Sequence, residues 1–121
     1  ERLLRDAVHD SMTGLPNRKL FMERLEAALL FSRGDSRIRP TLLSIDLDRF
    51  KQVNDSIGTA AADTVLLTIA RRLGRLLKPA DMLGRIGGDS FGMILISEQD
   101  PDRILAMADL IRRAISAALT T

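Results

Sequence analysis

The stretch MLGRIGGDSFGMILI, residues 82 to 96, decides the fold of this chain. It contains two apolar runs, Met82 to Ile86 and Phe91 to Ile96, on either side of Gly87-Gly88-Asp89. Two such runs separated by a short glycine-containing reversal are typical of antiparallel strands joined by a tight turn. Because glycine adopts positive φ at little cost, we predict a β-hairpin with both glycines in its turn.

Further elements are predicted outward from the hairpin. After Pro40, the run Thr41-Leu42-Leu43-Ser44-Ile45 predicts a buried strand that leads into Asp46-Leu47-Asp48. Apolar residues at helical spacing predict a helix over about residues 60 to 77, stopped by Pro79, and a last helix over about 102 to 119. A short polar segment fills the space before the first of these helices.

The N-terminal part is predicted to contain two helices separated by a turn. Residues 1 to 9 have the apolar spacing of the end of a helix that enters from upstream, and residues 10 to 121 form the single globular domain. Gly14-Leu15-Pro16-Asn17 predicts a turn in which Asn17 caps a second helix, and Gly34 ends that helix.

The order strand, helix, strand, strand, helix predicts an α+β, ferredoxin-like arrangement that lacks its final strand. Helices should cover the sheet, while the strand ends and the hairpin turn meet at one edge. Asp46 and Asp48 would then lie near Asp89. Hard cations such as Mg²⁺ prefer oxygen ligands, often one or two carboxylates together with substrate phosphates, so Asp46 and Asp89 are a candidate pair. An aspartate after a strand or beside two glycines is, however, also a common cap or turn former.

Composition excludes several classes of function. The 121 residues are 45% hydrophobic with a net charge of +2, which suits one small domain without a nucleic-acid surface. The absence of Trp and Tyr removes the platforms on which single-stranded nucleic acid stacks. There is no cysteine and no apolar run long enough to span a bilayer, so we expect a cytoplasmic fragment without membrane contact, which leaves room for a membrane anchor elsewhere in the parent protein.

Three motifs resemble, in order and spacing, those of the GGDEF diguanylate cyclases. They are DSMTGLPNR at residues 10 to 18, DLDRFKQVND at residues 46 to 55, and RIGGDSF at residues 85 to 91. The resemblance implies a nucleotidyl-cyclase-like sheet with helices packed on it. It also implies a bacterial nucleotidyltransferase of signal transduction, in which two GTP molecules held by a homodimer are joined into cyclic di-GMP with loss of pyrophosphate.

The resemblance also implies roles for individual residues. Asp46, Asp89 and the carbonyl of Leu47 match the Mg²⁺ ligands, and Asp89 also matches the proposed proton acceptor. Lys51 matches the residue that stabilises phosphate charge, and it is a catalytic candidate together with Asp89. Asn54 and Asp63 match the guanine contacts, which makes them the candidate substrate-binding residues.

Each of these three polar residues has a purely structural alternative. Lys51 would by default be a solvated surface side chain and Asn54 a turn residue, while Asp63 would be a first-turn carboxylate favoured by the helix dipole. Asp10 is expected to organise the turn before Asn17.

The chain departs from the family pattern at several positions. Ser90 occupies the place of the usual glutamate, which removes a carboxylate beside the metal and weakens catalysis. Thr59 replaces a histidine and Ala62 a glycine near the base pocket, which should reduce GTP affinity. Lys78-Pro79-Ala80-Asp81 stands where many cyclases have an inhibitory Arg-x-x-Asp, and lysine lacks the bidentate fork of arginine.

We therefore expect a degenerate GGDEF domain that binds GTP and Mg²⁺ weakly and regulates a neighbouring domain. In the parent protein we expect a flanking sensor domain and an EAL phosphodiesterase domain. The alternative is an active diguanylate cyclase that tolerates Ser90, and a third hypothesis is a spacer without nucleotide chemistry. The chain stops at Thr121, before the family's last strand and the following helix, so we expect a C-terminally truncated domain.

Overall fold

The computed structural model describes residues 7 to 34, 37 to 48 and 50 to 119. Within them the chain forms seven main elements, in the order helix, strand, helix, helix, strand, strand, helix. They are α1 (Arg18–Arg33), β1 (Thr41–Asp46), α2 (Phe50–Ile57), α3 (Thr59–Arg75), β2 (Met82–Gly87), β3 (Ser90–Leu95) and α4 (Pro101–Leu119).

The strands form one antiparallel sheet in the order β1-β3-β2, so the second strand of the hairpin is central. In the pairing of β1 with β3, Thr41 faces Leu95 and Asp46 faces Ser90. The pairing of β2 with β3 has an irregularity between Arg85 and Gly87, immediately before the turn. This register places the hairpin turn beside the end of β1, as the sequence predicts.

Alternation of side chains gives the sheet two apolar faces. On one face, residues of β1, β2 and β3 pack with α2, α3 and α4 in the larger core cluster, whose most buried members include Ile69, Leu73, Phe91, Met93 and Leu95. On the opposite face, Phe21 of α1 packs against Met82 and Ile94. Burial of each large apolar side chain contributes about 1.5 to 3 kcal/mol, so the two helical layers hold the sheet from both sides.

Phe21 fixes α1 to the sheet by lying over two glycines. Gly84 and Gly92 are direct partners in the pairing of β2 with β3. A Cβ atom added at Gly84 would lie 2.7 Å from Cδ1 of Phe21, and one added at Gly92 would lie 2.7 Å from its Cζ. Glycine at these positions therefore makes room for the aromatic ring.

The predicted hairpin, the first strand and the helices over about residues 60 to 77 and 102 to 119 are confirmed within a few residues. Asn17 caps α1 as predicted, because its side-chain oxygen accepts a hydrogen bond from the backbone N–H of Leu20. Of the helix expected over residues 1 to 9, residues 1 to 6 lie outside the described residues, and Ala7 and Val8 are helical.

Two expectations were wrong. The short polar segment after β1 contains helix α2, which was not predicted because its apolar residues cover only two turns. The hairpin turn is also shorter than predicted, since Gly87 is the last residue of β2 and only Gly88 and Asp89 separate it from β3. In the part of the chain that the structure describes, no helix has the length and apolar composition needed to cross a bilayer.

Candidate functional site

The end of β1 and the hairpin turn are joined by a backbone hydrogen bond. The N–H of Leu47 donates to the carbonyl of Asp89 at 3.0 Å. One residue earlier, Asp46 is the cross-strand partner of Ser90. The two carboxylates that the sequence nominates as metal ligands, Asp46 and Asp89, therefore belong to adjoining backbone segments, and both residues are exposed.

A cavity of about 290 Å³ opens beside the turn, and we call it the signature pocket. Its lining residues are Phe50, Lys51, Asn54, Asp63, Leu66, Arg85, Gly88 and Asp89. Four of the predicted site residues thus share one cavity. Asp46 and Leu47 are not in its lining and lie at the neighbouring strand end.

Helices α2 and α3 supply the polar groups on one side of the signature pocket. Lys51 and Asn54 are three residues apart on α2 and so lie on one side of that helix. Asp63 lies on α3, which begins at Thr59, so it is beyond the first turn where the helix dipole is strongest. The alternative hypothesis, that Asp63 is a first-turn carboxylate stabilised by the helix dipole, is therefore not supported.

A single residue, Gly58, separates the two helices. It has a φ of +89°, a conformation that other residues rarely adopt. Its N–H donates to the carbonyl of Asn54 at 2.9 Å, and its own carbonyl accepts from the N–H of Ala62 at 3.0 Å. Asn54 and Asp63 are therefore held on the two sides of a sharp helix junction.

Three charged side chains of the signature pocket are free to meet a ligand. Within the described part of the chain, the side chains of Lys51, Asp63 and Asp89 make no hydrogen bond or ion pair. Phe50 and Leu66 are buried and give the cavity an apolar wall. An apolar wall with a few converging polar groups is the usual build of a small-molecule site.

Arg85 connects the turn to the N-terminal motif. Its guanidinium donates to both carboxylate oxygens of Asp10, at 3.1 and 3.2 Å, and to the carbonyl of Gly88 at 2.7 Å. Asp10 also accepts hydrogen bonds from the N–H and the hydroxyl of Thr13, at 2.9 and 2.7 Å. Asp10 organises the turn before Asn17, as expected, whereas the bracing role of Arg85 was missed. Its position two residues before Gly87, within the RIGGDSF motif, was the available signal.

The pKa of Asp10 lies below its ordinary value. Partial burial raises the pKa, but hydrogen bonds from Thr13 and the guanidinium of Arg85 outweigh this effect. The side chains of Arg85 and Asp10 are only 15% and 22% exposed, so solvent weakens the ion pair less than at an open surface. The pair therefore fixes the start of the hairpin turn.

Asp81, in the segment that stands in place of the inhibitory motif, is fully engaged within the protein. Its carboxylate accepts from the N–H of Ile96 at 2.8 Å, from the N–H and hydroxyl of Ser97 at 2.9 and 2.6 Å, and from the N–H of Lys78 at 3.1 Å. Burial raises the pKa of Asp81, yet these hydrogen bonds lower it overall. Asp81 therefore joins the end of β3 to the loop before β2.

The described residues contain no cluster of three or more His, Cys, Asp or Glu side chains placed to hold a metal ion. Mg²⁺ does not require such a cluster, because it usually keeps several waters and combines one or two carboxylates with substrate phosphates. Asp46, Asp89 and the carbonyl of Leu47 are oxygen donors on adjoining backbone segments, and that carbonyl also accepts from the N–H of Phe50 at 3.3 Å.

An antiparallel sheet covered by helices, with a polar pocket at its hairpin turn, is the nucleotidyl-cyclase-like α+β fold. The family model described as "Diguanylate cyclase, GGDEF domain" matches residues 7–121. The chain therefore belongs to the GGDEF family of cyclic di-GMP signalling domains.

Known relatives agree with this assignment. The diguanylate cyclase TpbB of Pseudomonas aeruginosa is 41% identical over 117 residues, which is 97% of this chain and 27% of TpbB. The bifunctional diguanylate cyclase/cyclic di-GMP phosphodiesterase MucR of the same species is 38% identical over 114 residues, 94% of this chain and 16% of MucR. The solved GGDEF domain of TpbB superimposes with a TM-score of 0.82 at 42% identity, covering 88% of this chain and 61% of that one. The chain thus spans less than a third of these two full-length relatives.

Proposed function

We propose that this GGDEF domain binds GTP weakly in the signature pocket and regulates a neighbouring domain of its parent protein. The observation that carries the proposal is the convergence of Lys51, Asn54, Asp63 and Asp89 in one cavity, although they come from α2, α3 and the hairpin turn. The presence of these four polar side chains in one cavity supports ligand binding over the hypothesis of a spacer without nucleotide chemistry.

The residue types fit a guanine nucleotide. An amide and a carboxylate on two sides of the pocket match the donor and acceptor groups along the edge of guanine. Guanine N–H groups donate to Asp63, and Asn54 both donates and accepts. Lys51, one turn away on α2, supplies a positive charge for phosphate oxygens.

Mg²⁺ fits the strand end that adjoins the pocket. GGDEF diguanylate cyclases generally depend on this ion. Asp46, Asp89 and the carbonyl of Leu47 are the groups that would hold it, and the ion would neutralise phosphate charge there. Ser90 offers a neutral hydroxyl opposite Asp46, so this chain binds the cation with less negative charge than a glutamate would provide. We therefore expect weak Mg²⁺ and GTP binding and little turnover.

A regulatory role is supported by the link between the N-terminal segment and the turn. The side-chain amide of Asn17 donates to the carbonyl of Ala7 at 2.9 Å, and Asp10 is paired with Arg85, which holds Gly88. A displacement of the segment at Ala7 would reach the pocket through these contacts. The relative MucR combines a homologous segment with both cyclase and phosphodiesterase function in one protein, which supports the proposal of a phosphodiesterase neighbour such as an EAL domain.

The second candidate function is an active diguanylate cyclase that makes cyclic di-GMP from two GTP molecules in a homodimer. It is favoured by the register that keeps Asp46 and Asp89 at adjoining backbone segments, with Lys51 in the same region. In this function Asp89 would accept the proton of the attacking 3′-hydroxyl, and Lys51 would stabilise the charge on the phosphate.

The deciding experiment is titration of the full-length protein with GTP in the presence of Mg²⁺. Binding is measured by calorimetry and by the shift of the thermal unfolding midpoint. We expect GTP to bind more tightly than ATP, and Asn54→Ala to weaken binding about tenfold through loss of the guanine contacts. Gln52→Ala is the matched control, because Gln52 is on the same helix but lines a different cavity. Absence of both binding and thermal stabilisation would support the spacer hypothesis.

Regulation is tested in the same protein by the activity of the neighbouring domain. That activity should change on addition of GTP, and the change should disappear in Asn54→Ala but persist in Gln52→Ala. A neighbouring domain that responds equally in both variants would contradict regulation through this pocket.

A further inference from the structure

A second cavity adjoins the hairpin turn on the side of α1. Its volume is about 410 Å³, and its lining residues are Asp10, Asn17, Arg18, Lys19, Arg85, Ile86, Gly87 and Gly88. Arg85 and Gly88 line this cavity and the signature pocket as well. The second cavity is lined by residues of α1 and the signature pocket by residues of α2 and α3, so the same turn borders both cavities. We call this second cavity the basic groove.

We propose that the basic groove binds a pyrophosphate group, either free or as part of a larger phosphate ester. The site differs from the proposed GTP pocket in the side chains that α1 contributes, and its occupation can be measured without GTP. The volume falls in the range of small-molecule sites, about 300 to 1,000 Å³. It therefore offers room for more than a single small ion.

Charge selects an anion as the ligand. Three cationic side chains line the basic groove, against one carboxylate, and that carboxylate already pairs with Arg85. Arg18 and Lys19 are exposed, and neither makes an ion pair with any residue in the described ranges. Arginine and lysine are the side chains that most often bind phosphate oxygens, arginine through its planar fork and lysine as a point charge.

The backbone beside these cations is accessible. Gly87 and Gly88 place no side chain in the groove. At Gly88 an added Cβ would meet nothing within 4 Å, and its φ is outside the left-handed region. Neither packing nor backbone conformation in this chain demands glycine at residue 88, so its small size leaves space that a ligand can occupy.

The proposal does not rest on the N-terminus of α1 as such. Asn17 already caps that helix by accepting from the N–H of Leu20 at 3.1 Å. The binding groups are instead side chains from two separate elements, Arg18 and Lys19 of α1 and Arg85 of β2, which face one cavity. Arg85 contributes through the donors that remain beside its bonds to Asp10 and Gly88.

The test is calorimetric titration of the full-length protein with inorganic pyrophosphate, without Mg²⁺ or nucleotide and at constant ionic strength. The double variant Arg18→Ala/Lys19→Ala should weaken binding about tenfold or more, since it removes two charge-assisted contacts. The control Arg75→Ala/Lys78→Ala removes the same charge from exposed positions outside the groove, and it should bind as the unmodified protein does.

Four outcomes would overturn the proposal. Unchanged binding in Arg18→Ala/Lys19→Ala would show that the groove is not the site, and an equal loss in the control would show non-specific attraction. Loss in Lys51→Ala, with binding retained in the groove variant, would place pyrophosphate in the signature pocket. A parallel titration with inorganic phosphate should give weaker binding than pyrophosphate. Equal affinity for the two would refute recognition of two linked phosphate groups. Failure of GTP binding is measured separately with Asn54→Ala, so the two proposals are tested independently.

Discussion

Ser90 lies directly opposite Asp46 in the antiparallel pairing of β3 with β1. Opposite residues of an antiparallel pair project to the same face of the sheet, with Cβ atoms about 5 Å apart. Residue 90 is therefore next to the carboxylate proposed to hold Mg²⁺, and its charge acts directly on that site. A glutamate there would add a third carboxylate to those of Asp46 and Asp89, whereas the serine hydroxyl adds none.

Ser90→Glu should increase the synthesis of cyclic di-GMP from GTP and Mg²⁺ by about tenfold or more, because it restores charge and orienting capacity beside the metal ligands. The measurement is product formation by the full-length protein, with Ser90→Gln as a control of similar size and no charge. Substantial synthesis by the unmodified protein would instead establish the active cyclase and show that two carboxylates suffice.

Removal of the Asp10 carboxylate should destabilise the fold in a pH-dependent way. Because its pKa is lowered in the folded chain, the ionised carboxylate stabilises the protein fully above the ordinary value of 3.8 and loses this effect as the pH falls through the lowered pKa. At about pH 7, Asp10→Ala should reduce the free energy of unfolding by about 1 to 3 kcal/mol, since it leaves Arg85 without its partner.

Urea denaturation at about pH 7 and again in acid measures this difference, which should shrink as the carboxylate of the unmodified protein becomes protonated. Glu26→Ala is the control, because Glu26 is exposed on α1 and makes no ion pair within the described residues. A difference that stays constant with pH would mean that Asp10 acts through packing alone.

Gly92→Ala should destabilise the protein by about 1 to 3 kcal/mol through overpacking against the ring of Phe21. The added methyl group is 2.7 Å from Cζ and 2.9 Å from Cε2, so the ring must move. In a double-mutant cycle measured by urea denaturation, Phe21→Leu should recover part of the loss. Gly74→Ala is the control, because nothing lies within 4 Å of the added atom in α3. Purely additive effects would argue against the contact.

Cyclic di-GMP should not bind at Lys78-Pro79-Ala80-Asp81, and Lys78→Arg alone should not create binding. The reason is that Asp81 is already occupied by bonds to Ile96 and Ser97, which a ligand would have to break. Calorimetry with the unmodified protein and with Lys78→Arg measures this. Tight binding by Lys78→Arg would show that Asp81 can leave its internal partners.

Much of the fold could be predicted because its strands and long helices are continuous apolar patterns. Helix α2 could not, since Phe50, Val53 and Ile57 are too few to establish a period beside polar neighbours. Its helical form depends on tertiary packing, in which Phe50 and Val53 join the larger core. The length of the turn also escaped prediction, because a glycine such as Gly87 can end a strand as well as belong to a turn.

The motifs predicted most of the polar residues of the signature pocket but not the contacts that brace it. Motif resemblance nominated Lys51, Asn54, Asp63 and Asp89, and the fold brings these four into one cavity. Arg85 was not nominated, because its pairing with Asp10 spans 75 positions of sequence and no local pattern records such a contact. The basic groove was missed for the same reason, as it combines the start of α1 with the end of β2.

The junction at Gly58 has a consequence for selectivity among nucleotides. Asn54 and Asp63 sit on helices whose mutual angle is set by the backbone of this one residue. A side chain at position 58 would disfavour the φ of +89° and so change the separation of Asn54 and Asp63, the two residues proposed to contact guanine, without altering either side chain. The proposed preference for guanine over adenine would thus depend on Gly58, although Gly58 is not among the residues that line the signature pocket.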